Sequence, residues 1–64
     1  MKEKQVTYFE AMYHGGIEQH YTKDTKDFEN WLFVLGKFDT ALKVTYIAYS
    51  DGTTEGQAVG YEKL

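Results

Sequence analysis

Between residues 25 and 38 apolar side chains recur at a helical period, and the stretches on either side alternate like strands, each broken once by a glycine-containing turn signal. In DTKDFENWLFVLGKF, Phe28, Trp31, Leu32, Leu35 and Phe38 fall at i, i+3, i+4, i+7 and i+10, one stripe of an amphipathic helix. Asp24 or Thr25 is placed to accept from the free N–H groups of the first turn, and Asp27 and Glu29 put negative charge near the positive end of the helix dipole. Gly36 reads as the first residue past the helix, where a left-handed backbone favours a residue without Cβ, and Phe38 is expected to fold back onto the core. The helix is therefore expected over residues 25–36.

The flanks read as two hairpins. Asp51-Gly52 is a strong two-residue turn signal, because both central residues of the favoured tight turn need positive φ. With those two as the turn, Val44 faces Val59 and Leu42 faces Tyr61, on the same side as Tyr46 and Ala48, which makes that side the expected core face. A bulge after the glycine would shift this pairing by one residue. Gly15-Gly16 is the matching signal in the first hairpin, pairing His14 with Ile17 and Ala11 with His20. Strands are expected near residues 5–14, 17–23, 41–50 and 53–62. The fold class is α+β: residues 1–64 form one small domain, β-hairpin–helix–β-hairpin (ββαββ), with a four-stranded sheet and one helix packed on one face.

Composition narrows the chemistry. A chain of 64 residues lies near the lower limit at which an unstapled core suffices, and without cysteine there is neither a disulfide nor a thiolate ligand. The turn register above places His14 and His20 on opposite faces of the ribbon, where they could not share a metal, and only scattered carboxylates accompany them. Opening the turn by one residue would bring them to one side. Gly15-Gly16 leads into a strand pattern rather than a helix with Lys and Ser/Thr, so it is no phosphate loop. Ser50, the only serine, belongs to a turn rather than a nucleophile elbow. Asp24 and Asp27 are accounted for by a helix start. No catalytic constellation, metal or cofactor is expected, and the chain reads as a non-enzyme.

Seven lysines, no arginine and ten carboxylates give a net charge of −3, and the charges are interleaved as on an ordinary solvated surface, which disfavours nucleic acid. The first residues hold no apolar run of the kind a signal peptide needs, and nothing approaches a membrane span, so a mature, soluble, cytoplasmic protein is expected.

The order hairpin, helix, hairpin resembles that of small β-grasp-like binding domains, including bacterial immunoglobulin-binding modules. The likeness lies in element order alone, so no functional position carries across. The strand order stays open: either the terminal strands lie parallel in the middle of the sheet, or the hairpins pair some other way. Both faces of the strands carry large side chains: Val6, Tyr8 and Met12 oppose Phe9, Ala11 and Tyr13, and Leu42, Val44 and Tyr46 oppose Ile47 and Tyr49. One helix covers one face. Phe9, Tyr13, Ile47 and Tyr49 are accordingly expected on the uncovered side as an interaction surface for a protein partner or a second copy, with an edge strand as a further route. The helix adds Phe33 and Val34 off its main stripe. The expected function is a small acidic protein-interaction module, an inhibitor or adaptor of the kind phages and other mobile elements encode, an acidic DNA mimic being one form of it. The alternative is a nucleic-acid- or nucleotide-binding domain in which those four residues stack bases, with Lys4, Lys43 and Lys63 nearby.

Overall fold

The computed structural model describes residues 3–58. Its elements are β1 (Val6–Tyr13), β2 (Gly16–Tyr21), α1 (Thr25–Phe38), β3 (Lys43–Tyr49) and β4 (Thr54–Gly56). The four strands form one antiparallel sheet in the order β2-β1-β3-β4, and α1 packs over β1. This is the expected α+β architecture. The centre of the sheet is the antiparallel pair β1–β3, with β4 at an edge, so of the two arrangements the sequence leaves open, the one with a parallel central pair is not adopted.

The helix starts where the sequence places it. Asp24 is the N-cap, its Oδ1 accepting the Asp27 N–H at 2.8 Å, while Asp27 Oδ2 accepts the Lys23 N–H at 3.2 Å. The same turn is tied to β1: Thr25 donates its N–H to Gln5 Oε1 at 2.9 Å and its Oγ1 accepts the Val6 N–H at 3.1 Å. The other end differs from the expectation. Gly36 lies inside the helix, which runs to Phe38, and Asp39 terminates it by donating its N–H to the Leu35 carbonyl at 3.0 Å. Phe38 is consequently carried out into solvent rather than back onto the core.

Both hairpin registers shift. In the first, Tyr13 pairs with Gly16, so the two-residue turn is His14-Gly15, with φ of 51° and 83°. Positive φ at both positions is the geometry whose twist matches flanking strands. In the second, Tyr49 donates to the Thr53 carbonyl at 2.9 Å and its own carbonyl accepts from Gly52 at 3.1 Å, closing a three-residue loop, Ser50-Asp51-Gly52, with Gly52 at φ 91°. Tyr46 then faces Gly56 and Ile47 faces Glu55, one residue away from the expected pairing. The expected partners Val59 and Tyr61, and the end of the fourth strand, lie outside the described residues.

Two bulges decide which side chains meet the helix. Opposite the β1 steps Val6–Tyr8 and β3 steps Val44–Tyr46 the ladder slips by one, leaving Thr7 and Thr45 without partners. Each bulged threonine uses its hydroxyl across the gap, Thr7 donating to the Ala48 carbonyl at 3.4 Å and Thr45 to the Glu10 carbonyl at 3.3 Å. The slip at Thr45 reverses the alternation of β3, so Val44 and Leu42 join Ile47 rather than oppose it. All three pack with Tyr13, Phe28, Trp31 and Leu32 around the buried Phe9, Ala11 and Leu35. Beside the bulge, Gly56 adopts φ 83°, and a Cβ there would run into the Thr45 carbonyl oxygen.

Candidate interaction surface

The structure places three of the four expected interaction residues on the helix-covered side of the sheet, where they cannot serve that role. Phe9 is fully buried beneath the helix, edge-on to Phe28 at 4.9 Å between centroids, and Tyr13 and Ile47 pack against the same core. These three are core residues, which corrects the assignment made from strand alternation. The fourth, Tyr49, pairs with Val6 at the far end of β3 and is half-buried; Lys4 Nζ stands 4.2 Å above its ring. The reason for the reversal is the Thr45 bulge, which lets Leu42, Val44 and Ile47 share one face with Phe9 and Ala11.

The helix-free face is built around Tyr8, Glu10 and Tyr46. The Tyr8 hydroxyl donates to Glu10 Oε2 at 2.6 Å, and the Tyr8 ring meets Tyr21 at 4.8 Å and the edge of Tyr46 at 5.9 Å. Glu10 is fully buried and Tyr8 nearly so, so this face has a polar, hydrogen-bonded centre rather than a wholly apolar one.

The exposed apolar groups lie elsewhere. Tyr21 at the end of β2 is 77 % exposed, and on the helix Phe33 and Phe38 are 65 % and 67 % exposed, with Val34 and Met12 less so. Lys37 Nζ rests 4.5 Å from the Phe33 ring centroid, covering part of it with a charge that stays wet. Phe33 and Val34 are legible from their positions off the apolar stripe; Phe38, which falls on the stripe by spacing, and Tyr21, which no local signal marks, are not.

The two histidines end up in different settings. His14 sits in the first turn, its N–H donating to Asp39 Oδ2 at 2.6 Å. His20 lies in β2 between two rings, stacked on Phe9 at 5.3 Å and against Trp31 at 4.3 Å. Its Nε2 is buried 3.5 Å from Glu18 Oε1, near enough for an ion pair but without a hydrogen bond. Among the described residues no group of three or more His, Cys, Asp or Glu is arranged to hold a metal ion.

Two carboxylates are held ionised by turn geometry. The His14 and Ala41 N–H groups hold Asp39 below its ordinary value of 3.8, and the Thr53 hydroxyl and N–H do the same for Asp51. A carboxylate lowered by folding contributes stability that is complete above its unfolded value and is lost as pH falls through the folded one. The melting temperature should therefore hold from neutral pH down to about pH 5 and fall below about pH 4. The double variant Asp39→Asn, Asp51→Asn should show a lower plateau and a shallower acid limb in thermal melts; an acid limb identical to wild type would contradict this. Tyr49 is raised above its ordinary 10.0, first by withdrawal of its hydroxyl from water and then by the negative charge of Glu55, so its contribution is present below that value and is lost on the alkaline side.

No family model matches the chain, and neither a curated protein nor a solved structure matches it. No helix among the described residues is long and apolar enough to cross a membrane.

Proposed function

We propose that the chain is a protein-binding module without catalytic machinery, an inhibitor or adaptor that acts by occupying the surface of a partner protein. The observation that carries this reading is the exposure of three large rings, Tyr21, Phe33 and Phe38, at 65 % or more, in a chain whose Phe9, Tyr13, Phe28 and Trp31 are already consumed in the core beneath one helix. Aromatic side chains supply rigid contact area at small entropic cost and are enriched at the centres of protein interfaces. The net charge of −3 favours a partner surface that is neutral or basic. Base stacking by Phe9, Tyr13 and Ile47 has no support, because those side chains pack against the core under α1.

The test is retention on immobilised chain, wild type beside Phe33→Lys, from lysate of the cells that naturally make it. A protein held by wild type and released by the variant is the expected result. Equal retention by both, or none, contradicts the reading, and salt-sensitive retention of single-stranded DNA by the wild type would replace it with nucleic-acid binding.

A further inference from the structure

The outer edge of β2 has no partner among the described residues, and its hydrogen-bonding pattern can be read from the hairpin. The pair flanking a two-residue turn, Tyr13 and Gly16, exchanges backbone hydrogen bonds, and alternate pairs along the ladder then do the same. Gly16, Glu18 and His20 thus direct their backbone groups toward β1, in agreement with the Thr22 N–H reaching the Thr7 carbonyl at 3.0 Å further along. Ile17, Gln19 and Tyr21 direct theirs outward. Three consecutive outward positions, with no proline and no lysine between residues 16 and 21, form an edge open to another strand.

We infer that β2 pairs antiparallel with β2 of a second copy of this chain, centred on Gln19, so that the sheet continues across a two-fold axis. This deepens the reading of the chain as a protein-binding module by naming one partner. The register follows from the sequence. An antiparallel edge pair must set outward residues opposite outward residues, which leaves few choices. Centring on Glu18 opposes two carboxylates, and centring on His20 opposes two imidazoles. Centring on Gln19 sets Ile17 opposite Tyr21 of the second copy and Glu18 opposite His20 of the second copy, each twice, so apolar meets apolar and a carboxylate meets an imidazole. The segment IEQHY is complementary to itself only in that register, and it is also the register that pairs all five residues.

The helices permit this. With strands about 4.8 Å apart, β1 of one copy lies three steps, about 14 Å, from β1 of the other, beyond the 8–10 Å at which packed helix axes meet. Both helices stand on the same face. Trp31 lies against His20 with its ring tilted, marking the flank of α1 that looks toward β2, and Val34 and Phe38 follow at three and seven residues on that flank. The two-fold axis turns those flanks toward each other. The pairing sets Tyr21, the most exposed of the five large apolar groups left open in one copy, against Ile17 of the second copy and so reduces its exposure, while Phe33 stays free.

The test uses hydrogen exchange and sedimentation on the whole chain. On raising the concentration, the Ile17, Gln19 and Tyr21 amides should gain protection of tenfold or more, while those of Glu18 and His20, already bonded to β1, change little. In sedimentation the wild type should move from the 7.4 kDa chain to twice that mass. Gln19→Pro removes one outward N–H without touching the β1 ladder and should weaken dimerisation at least tenfold, as should Ile17→Lys, which leaves the backbone intact. Exchange at the three outward amides that does not depend on concentration, or a dimer indifferent to both substitutions, overturns the inference. A chain that is monomeric throughout yet retains a foreign protein through Phe33 overturns it too, and leaves the protein-binding reading standing.

Discussion

Phe9→Ala is expected to lower the stability of the chain by about 3–5 kcal/mol, the cost of removing a fully buried ring together with the cavity it leaves. Phe9 is the largest apolar side chain with no exposure, and it touches both sides of the core: the Phe28 edge at 4.9 Å from the helix and the His20 ring at 5.3 Å from β2. Little can relax into the space. Ala11 beside it has no reach, and the neighbours on β3 are fixed by the Thr45 bulge. A chain of this length has a total stability on the order of 3–10 kcal/mol, so the variant should be largely unfolded at room temperature. Far-ultraviolet circular dichroism with denaturant titration measures it. A loss below about 1 kcal/mol would place Phe9 on an open face, as strand alternation alone suggests, and would contradict the structure.

Trp31→Ala should cost about 2–4 kcal/mol, less than a fully buried ring because Trp31 is only partly buried. Trp31 packs against the Phe9–Ala11–Leu35 core and lies on His20 at 4.3 Å, so its removal opens the space between α1 and β2 and uncovers the imidazole. Since the variant contains no tryptophan, the melt is followed by circular dichroism. The wild-type emission supplies a second readout: a maximum shifted to the blue of free tryptophan is expected, and one at the position of free tryptophan would mean that the stripe does not face the sheet.

The parts of this fold that were legible in the sequence are those set by local chemistry. The apolar period of residues 28–35 fixed the helix and the face it buries, Asp24 fixed its start, and the two glycine-containing turns fixed the order of elements. What was not legible depends on contacts across the sheet. Gly15-Gly16 and His14-Gly15 are both able to form the first turn, since histidine tolerates positive φ, and the choice falls to His14 because its N–H meets the Asp39 carboxylate from the far end of the helix. That same aspartate closes the helix end and accepts from Ala41 at 2.9 Å, which frees Gly36 to remain helical and carries Phe38 outward.

The interaction surface was misplaced for one reason. Threonine is an ordinary strand residue, and nothing local marks Thr45 as the position where the β3 ladder slips. Without the slip, Ile47 and Val44 belong to opposite faces, and the helix has to choose between them. With it, both join Phe9, and the apolar surplus that the sequence shows moves from the sheet face to the helix flank and the β2 edge. The surplus itself was real; its address was not readable from alternation.

A dilution series of amide ¹H–¹⁵N spectra tests the β2–β2 pairing most directly, because it reports every backbone site at once. Shifts confined to residues 17–21, following one binding curve, are expected, with the β4 amides Thr54–Gly56 unmoved. Spectra that do not change with concentration, or changes gathered at β4 instead, would contradict it.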